Sequence, residues 1–441
     1  MRNRLRNISY FFELYCAVVS GYRGFAKMQS IAQIGDIVVK IAGYIVVVII
    51  LLSCGPSNHN SFPGRITMDV TNPLQQSRKD VAIYIPLENV PPSFVVRSNE
   101  VQLPAQAYDS GIVVVLDSLK ANESRAITIY FNDSNTNSDT HYRKRTQAEL
   151  SHKVGGEWKN REYIGGEFRN VDYLRVPPEH KDHSWYLRYE GPGWESDRVG
   201  YRLYLDQRNA IDVFGKKIPD MVLMGVGQDN FDSYHNMQSW GMDIMKVGKS
   251  LGLGSPAIWT DTAAVRVENT DSVKCWIREN GDVLSSIGIN HYGWKTPSDT
   301  INLQSHVSIT AGSRWTQMIL IADKDLDNLC TGIVKDKEGK LFKSTGGKSS
   351  WGYLATFGKQ SLNNDNLGLA LLFSPDEFVA FREDTNSHVV QLKTDLKPVT
   401  YHFGAAWEQE PNGIKTEAEF IEWVERSARE LANPVIVNAK N

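Results

Sequence analysis

The residues of this chain that could do chemistry are concentrated between Trp185 and Gly254. Tryptophan, tyrosine, arginine, histidine and paired acids alternate there with glycine. Few stretches show the regular apolar period of a segment built only for a core. Aromatic rings can stack on the apolar faces of a sugar, while polar side chains reach its hydroxyl groups. This composition predicts a sugar-binding site, and the alternative is a β-rich core with polar surface loops.

Two histidine–tyrosine pairs are the candidates for acid–base catalysis. The first is Tyr234 with His235, and the second is His291 with Tyr292, which closes a predicted strand. An imidazole can take up and release a proton near neutral pH, and a phenol can supply one. Single histidines are more often surface or core residues, so the prediction is that at least one of these pairs lies in the site.

A glycine–proline turn at 190–198 supplies further charged and aromatic side chains. Arg198, with Arg202 shortly after it, could bind a substrate carboxylate through paired hydrogen bonds. The alternative is a structural ion pair between such an arginine and Glu195 or Asp197. The predicted substrate-binding residues are Trp194, Glu195, Arg198, Arg202 and Trp240, and the weaker candidates for the site are His180 and His183.

Two reactions suit these residue types. A glycosidase needs two carboxylates across the bond that it cleaves, and they could come from Glu190, Glu195, Asp197 and Asp243. Elimination beside a uronate carboxylate needs a cation or dense donors to offset the carboxylate charge, a base for the neighbouring proton, and an acid for the leaving oxygen. The enrichment in arginine, histidine and tyrosine favours elimination.

Common metal-, phosphate- and dinucleotide-binding motifs do not occur in the sequence. It contains no phosphate-binding or dinucleotide-binding glycine motif, and no His-Glu-x-x-His or Cys-x-x-Cys. No metal or cofactor is therefore expected.

The first 53 residues have the order of a secretory signal. Scattered basic residues precede the apolar run Ile41–Leu52, which is shorter than the roughly 20 residues of a spanning helix. Cys54 follows Leu-Leu-Ser, as in bacterial lipoprotein signals, so we expect Cys54 to be lipidated and to begin the mature chain. Met28 would give a signal of more usual length, and a true membrane anchor is the other interpretation. The expected location is the outer membrane, through a lipid anchor that faces the periplasm or the cell surface.

The net charge bears on the expected partners, and the cysteine content bears on disulfide bonding. The chain has 48 basic and 51 acidic residues, a net charge of −3, so nucleic acid is not an expected partner. Beyond Cys54 only Cys275 and Cys330 remain. They permit one disulfide bridge outside the cytoplasm but no disulfide framework.

Strands are the main elements expected to position these residues. Short β-branched and aromatic runs, separated by turn residues, are typical of a β-sandwich. The polar stretch Asn132–Asp139 predicts a linker between an N-terminal β-sandwich region, 54–135, and a main domain, 141–435. Within that main domain, His141–Lys153 looks helical, and a capping box at Thr416–Glu419 opens a C-terminal helix. The predicted fold class is therefore all-β, with a C-terminal helix.

Two stretches also resemble a known family. They are YEGPGWESDRVGYRLYLDQRNAIDVFGK, beginning at Tyr189, and YHNMQSWGMDIMKVGKSLGLG, beginning at Tyr234, with a further match at Tyr353–Gln360. They resemble a secreted lipoprotein family of polysaccharide-utilisation loci in Bacteroidetes, whose members are mostly known only as a domain of unknown function. The resemblance covers nearly all of the chain after the signal.

This resemblance implies a fold and an activity. The fold implied is a β-supersandwich similar to galactose-mutarotase-like folds. The activity is similar to that of the ulvan-oligosaccharide dehydratase of marine flavobacteria. That enzyme removes water from a non-reducing-end glucuronate or iduronate and leaves a 4,5-unsaturated uronate. No catalytic residue is carried over, and a shared fold does not fix the reaction.

The leading hypothesis is a carbon–oxygen lyase acting on uronate-ended oligosaccharides. Its base would be His235 or His291, its acid Tyr234 or Tyr292, and its carboxylate clamp Arg198 or Arg202. A glycoside hydrolase or polysaccharide lyase of uronate-containing glycans, and a glycan-binding lipoprotein without catalysis, are the alternatives.

Overall fold

A computed structural model describes residues 64–131, 142–229 and 233–440 of the chain. These residues belong to one compact unit, Asn58–Asn441. The predicted signal, Cys54 and the predicted linker Asn132–Asp139 lie outside the described residues, so they stay predictions. No helix in the described part of the chain is long and apolar enough to cross a membrane.

The first described stretch forms a small β-sandwich. Its strands are β1 (Arg65–Thr71), β2 (Arg78–Pro86), β3 (Phe94–Ser98), β4 (Val101–Leu103), β5 (Ala105–Tyr108), β6 (Gly111–Leu119) and β7 (Ser124–Phe131). One sheet has the order β4-β3-β7-β1, with the C-terminal strand β29 (Ile436–Ala439) beside β1, and the other has the order β2-β6-β5. Alternate apolar residues of the two sheets share one core, among them Val70, Ile83, Val114 and Ile127.

The central stretch forms a hairpin, an edge strand and a five-stranded sheet. Its strands are β8 (Thr146–Glu149), β9 (Ser151–Lys159), β10 (Glu162–Asn170), β11 (Tyr173–Arg175), β12 (Gly193–Ser196), β13 (Val199–Leu203), β14 (Ile211–Lys216) and β15 (Gly241–Asp243). The five-stranded sheet has the order β15-β14-β13-β12-β8, and β9 pairs with β10 alone. The helix predicted at His141–Lys153 is wrong, because Thr146–Glu149 pairs with β12 and so buries Ala148 in the core. Tertiary pairing overrides local helix propensity here.

The remaining strands complete two more sheets. They are β16 (Ala257–Trp259), β17 (Ala264–Arg266), β18 (Ser272–Asn280), β19 (Leu284–Lys295), β20 (Thr300–Thr310), β21 (Trp315–Ala322), β22 (Leu329–Val334), β23 (Gly339–Ser344), β24 (Gly352–Gly358), β25 (Leu367–Phe373), β26 (Phe378–Glu383), β27 (Ser387–Leu392) and β28 (Val399–Trp407). The nine-stranded sheet has the order β11-β18-β19-β20-β21-β28-β25-β24-β23, and the second five-stranded sheet has the order β17-β16-β22-β27-β26.

One apolar core joins the large sheet to both five-stranded sheets. It contains Trp194 and Val213 from the first, Ile289 and Leu369 from the nine-stranded sheet, and Val390 from the second. Sheets that pack face to face across a shared core form a sandwich. The predicted all-β sandwich class is confirmed.

Among the described residues there is one α-helix, α1 (Glu417–Ala432), which packs on the outer side of β24 and β25. The Glu419 backbone N–H donates to Thr416 Oγ1 at 3.2 Å, and the Thr416 N–H donates to the Glu419 carboxylate at 3.0 Å. These reciprocal bonds are the predicted capping box, and they satisfy donors that the first helical turn leaves unpaired.

The two cysteines beyond Cys54 do not form the disulfide that the sequence permits. Cys275 in β18 and Cys330 in β22 are both buried free thiols. Burial raises the pKa of both thiols, so neither is an activated nucleophile.

Candidate functional site

The sheet β15-β14-β13-β12-β8 has one apolar and one charged face. The residues that point into the shared core are Ala148, Trp194, Tyr201 and Val213. The charged residues between them in these strands are Glu149, Glu195, Arg202, Asp212, Lys216 and Asp243, and each is at most 4% exposed. A buried charge needs a partner to offset the lost hydration. The partner of each charged side chain therefore decides whether that side chain could also contact a substrate.

Residues 217–240 lie over the charged face, and we call them the covering segment. Residues 230–232 of this segment are outside the described residues. Leu223, Val226 and Tyr234 from this segment pack with Phe214 of the sheet and with Tyr189. The covering segment therefore removes most of the charged layer from solvent.

Lys216 and Glu195 fix the covering segment to the sheet. Both side chains are 0% exposed, and Lys216 Nζ lies 2.5 Å from Glu195 Oε2. Glu195 Oε1 also accepts the backbone N–H groups of Val222 and Leu223, each at 2.8 Å. Glu195 is thus enclosed by an ion pair and two amides, and the structure does not place it where a substrate would touch it.

Arg202 lies at the centre of the Arg202 cluster, which comprises Arg202, Tyr204, Asp212, Tyr234 and Asp243. Its guanidinium lies 2.6 Å from both Asp212 Oδ2 and Asp243 Oδ2, and it donates to the hydroxyls of Tyr204 and Tyr234 at 2.9 Å. Two carboxylates against one guanidinium leave one negative charge in surplus. Burial, together with the neighbouring Asp212 carboxylate, raises the pKa of Asp243 well above its usual range.

His235 brings a titratable ring from this cluster to the surface. Its side chain is 48% exposed, and its Nε2 lies 3.5 Å from Oδ2 of the buried Asp243. The ring centroid lies 4.7 Å from that of Tyr234. A buried carboxylate behind a solvent-facing imidazole can orient the ring and stabilise its protonated form. His235 is therefore placed to exchange a proton with a bound molecule.

A second charged group adjoins the first. We call it the Arg208 cluster, and it comprises Asp182, Glu190, Asp206 and Arg208. The guanidinium of Arg208 lies 2.9 Å from Asp182 Oδ1 and 2.7 Å from Glu190 Oε1, and it also pairs with Asp206. The Tyr204 ring lies between the two arginines, with its centroid 4.8 Å from Cζ of Arg202 and 3.9 Å from Cζ of Arg208. The two clusters thus form one continuous site.

The backbone that presents the Arg208 cluster is strained. Four residues between 183 and 190 have positive φ: His183 at 60°, Trp185 at 62°, Tyr189 at 36° and Glu190 at 71°. Residues other than glycine rarely adopt this left-handed backbone conformation, and such strain concentrates at functional sites. The strain could not be predicted, because none of these four residues belongs to a type that favours positive φ, except His183 weakly.

Partly exposed aromatic rings lie next to the strained segment. Tyr186 lies 5.2 Å from both Trp158 of β9 and Tyr163 of β10, and 5.1 Å from His152. All four are only partly buried. Trp158 and Tyr163 were not among the predicted site residues, since their hairpin lies outside 185–254; the short Trp–Tyr spacing across a glycine-flanked turn was the available signal.

The predicted substrate-binding tryptophans have different surroundings. Trp194 is 1% exposed, donates from Nε1 to Thr316 Oγ1 at 2.9 Å, and stacks on Tyr201 in the core. It therefore offers no face to a substrate. Trp240 is partly exposed in the covering segment, with its ring 6.1 Å from Phe214, so it shares that segment with His235.

The two predicted arginines do not form one clamp. Arg198 lies 3.9 Å from Asp80 and donates to the Pro411 carbonyl at 3.3 Å. Arg202 follows four residues later along an extended strand, roughly 13 Å away. Arg198 thus faces the N-terminal sandwich region, whereas Arg202 is neutralised within its own cluster.

The second histidine–tyrosine pair is divided between two faces of β19. His291 is 1% exposed, and its Nε2 lies 2.5 Å from the Asn209 amide nitrogen. Tyr292 is only partly buried, and the Lys274 ammonium lies 5.0 Å from its ring centroid. Burial lowers the pKa of His291 to about 4. Neighbouring strand residues point in opposite directions, so the structure does not bring these two side chains to one substrate.

Comparison with known proteins gives the chain a family. "Uncharacterized protein P7" of Formosa agariphila (strain DSM 15362 / KCTC 12365 / LMG 23005 / KMM 3901 / M-2Alg 35-1) is 22% identical over 290 residues, which cover 60% of this chain and 69% of that protein.

An alpha-mannosidase from Enterococcus faecalis V583 matches with a TM-score of 0.45 at 7% identity, over 86% of this chain and 46% of that chain. A protein in the glycosyl hydrolase family 38 from Enterococcus faecalis matches with a TM-score of 0.41 at 7% identity, over 86% of this chain and 48% of that chain. The chain thus spans about half the length of these two solved structures.

The family described as "Domain of unknown function (DUF4861)" matches residues 70–437, and this chain belongs to it.

Proposed function

We propose that the protein is a carbohydrate-active dehydratase, a carbon–oxygen lyase. Its substrate would be an ulvan-type oligosaccharide with glucuronate or iduronate at the non-reducing end. The reaction removes the proton at C5 and the hydroxyl at C4 as one molecule of water, and leaves a double bond between C4 and C5. The observation behind this proposal is the exposed His235 ring backed by the buried Asp243 carboxylate.

His235 is the base in this proposal. Its imidazole takes the C5 proton, and the Asp243 carboxyl group 3.5 Å away holds the ring in place. The same ring then returns the proton to the departing C4 oxygen, so the atoms balance without a second acid. Burial raises the pKa of Tyr234 and so keeps its hydroxyl protonated, but this hydroxyl accepts from Arg202 at 2.9 Å and positions the cluster.

Sugar binding is assigned to the partly exposed rings. Trp185 lies in the strained segment, and Trp158 and Tyr186 lie beside it. Such rings match the apolar faces of pyranose sugars. The resemblance of the stretches at 189–216 and 234–254 to a family of polysaccharide-utilisation loci supports the same substrate class.

The proposed location is the outer membrane, through a lipid on Cys54. It rests on the order of basic residues, apolar run and Leu-Leu-Ser-Cys in the first 54 residues. An enzyme there would act on oligosaccharides in the periplasm or at the cell surface.

A glycoside hydrolase is the second candidate. The observation in its favour is that the Glu190 carboxylate contributes to the raised pKa of Asp243, after burial and Asp212. A pair of carboxyl groups with one kept protonated is the arrangement of a glycosidase. Because Glu190 and Asp243 are only 6% and 2% exposed and both contact arginines, we place this function second.

Ultraviolet absorbance of purified protein with uronate-ended oligosaccharides tests the proposal. A conjugated unsaturated uronate absorbs, so absorbance that rises while the chain length stays constant is the expected result. Rising absorbance with shorter chains would make the protein a polysaccharide lyase, and shorter chains without absorbance would make it a hydrolase. Binding without any product would leave a glycan-binding lipoprotein.

A further inference from the structure

We propose that Asp182, His183 and Glu190 bind a divalent metal ion. The ion would take the carboxylate of the sugar, and this second part rests on the proposed dehydratase function. The metal site itself rests on three features of the described residues.

The first feature is the geometry of three side chains. One ligand atom from each of Asp182, His183 and Glu190 lies within 4.8 Å of the other two. Nitrogen and oxygen ligands lie about 2.0–2.6 Å from divalent ions, so two ligands of one ion are at most about 5 Å apart. His183 Nδ1 and Asp182 Oδ1 are paired with each other at 2.5 Å, so an ion would take the place of this pair. The three side chains are close enough to share it without a large backbone movement.

The second feature is a buried imidazole nitrogen. His180 is 6% exposed, and its Nδ1 lies 2.7 Å from Ser184 Oγ. Within the described ranges, its Nε2 has no hydrogen-bond partner, although a buried polar atom normally has one. This unpartnered atom lies in a ring two residues before Asp182, so it adds an unsatisfied nitrogen to the segment that carries the proposed ligands.

The third feature is a surplus of negative charge. Asp182, Asp206 and Glu190 surround Arg208, with Arg208 Nη1 2.9 Å from Asp182 and Nη2 2.7 Å from Glu190. Three carboxylates against one guanidinium leave two negative charges, which one divalent ion would neutralise. Without such an ion, the Arg208 cluster would repel an anionic uronate.

The ion would also supply the positive charge that the carboxylate of the sugar needs. Elimination beside a carboxylate needs a cation or dense donors near that carboxylate, and Arg202 and Arg208 are both paired with protein acids. The Arg208 cluster is connected to His235 through Tyr204, Arg202 and Asp243, so a metal there would hold the sugar carboxylate near the base. Mixed imidazole and carboxylate ligands suit Zn²⁺ or Mn²⁺ better than Ca²⁺.

Calorimetry with the metal alone tests the site. The chelator-treated protein is titrated with ZnCl₂, MnCl₂ and CaCl₂, and we expect one equivalent of Zn²⁺ or Mn²⁺ to bind more tightly than Ca²⁺. Asp182→Asn and His183→Ala should each weaken this binding at least tenfold, while Asp271→Asn, an exposed acid paired with Lys295, should leave it unchanged. Both Asp182 and His183 are at least partly exposed, so melting curves close to that of the wild type are expected and would confirm folding.

The outcomes separate the metal site from the proposed function. Stoichiometric binding that is lost in both variants supports the site, whether or not the protein dehydrates a sugar. If the wild type binds no equivalent of any of the three ions, or if both variants bind as it does, the site is refuted. Dehydration that survives complete chelation would refute the role of the ion and leave the dehydratase proposal intact.

Discussion

Exposure separates two kinds of residue within the charged layer. Glu195 and Lys216 are 0% exposed and paired with each other, whereas 48% of the His235 side chain faces solvent beside the buried Asp243. A general base must meet its substrate, so the buried pair stabilises the structure, whereas His235 has the exposure that the proposed base requires.

Replacing His235 by alanine tests this assignment. We expect turnover to fall by at least about 100-fold, because a positioned general base contributes roughly 10²–10⁴-fold. The melting curve should stay unchanged, since the ring is half exposed. His306→Ala in β20, a partly buried histidine that contacts Arg278, is the matched control and should keep full turnover. Full activity in His235→Ala would show that another group is the base.

The residue types in the sequence identified His235 as a candidate, but they could not show that it is exposed whereas Trp194 and His291 are buried. All three lie in aromatic and polar stretches, yet Trp194 and His291 are each 1% exposed. The difference comes from which strand face each residue occupies, and that is set by sheet pairing between distant segments. The contribution of Asp182 and Arg208 was missed for the same reason, because their contact depends on the strained turn at 183–190.

At the scale of elements, the covering segment depends on buried charges for its position. Glu195 accepts from Lys216 and from the amides of Val222 and Leu223. Arg188 Nη1 donates to the carbonyls of Leu223 and Met224 at 2.9 and 2.6 Å. The segment that presents His235 is thus held by polar contacts at its start as well as by apolar packing.

Breaking the Lys216–Glu195 pair should therefore destabilise the protein. Lys216→Met leaves a buried carboxylate without its cation, which typically costs about 3–5 kcal/mol. Lys340→Met removes an exposed partner of Glu417 and should cost less than about 1 kcal/mol. Urea unfolding of both variants measures the difference. Equal losses would mean that the buried pair does not fix the covering segment.

Local sequence patterns predicted some elements better than others. The capping box at Thr416–Glu419 depends on contacts within one helical turn, so it could be read directly and is confirmed. The segment 141–153 has helix-forming residues, but Ala148 and its neighbours pair with β12 instead. Such a choice depends on a partner more than forty residues away along the chain, which no local pattern contains.

At the scale of the whole molecule, one core joins three sheets and contains few titratable groups. His291 is buried in β19, and His402 lies on the other face of β28 from the core residues Tyr401 and Phe403. Burial lowers the pKa of each ring to about 4. The unfolded chain binds protons on these rings below about pH 6.5, whereas the folded chain does not. Their contribution to stability is therefore complete above about pH 6.5 and is lost as the pH falls towards 4.

The variant His291→Gln should weaken this acid dependence. Glu377 and Glu410 act in the opposite sense, because burial raises the pKa of each to about 7, so the informative quantity is the difference between variant and wild type. We expect the wild type to lose more unfolding free energy than His291→Gln between pH 7 and pH 5, by on the order of 1–2 kcal/mol. Parallel pH profiles in urea unfolding would contradict the buried neutral imidazole.

Product mass in ¹⁸O-labelled water distinguishes removal of water from a uronate from hydrolysis of the glycan. Incubation with a uronate-ended oligosaccharide should give a product lighter than the substrate by one water and free of ¹⁸O, because elimination adds no oxygen from the solvent. Two shorter saccharides, one of them with ¹⁸O at its new reducing end, would instead establish hydrolysis and contradict the dehydratase.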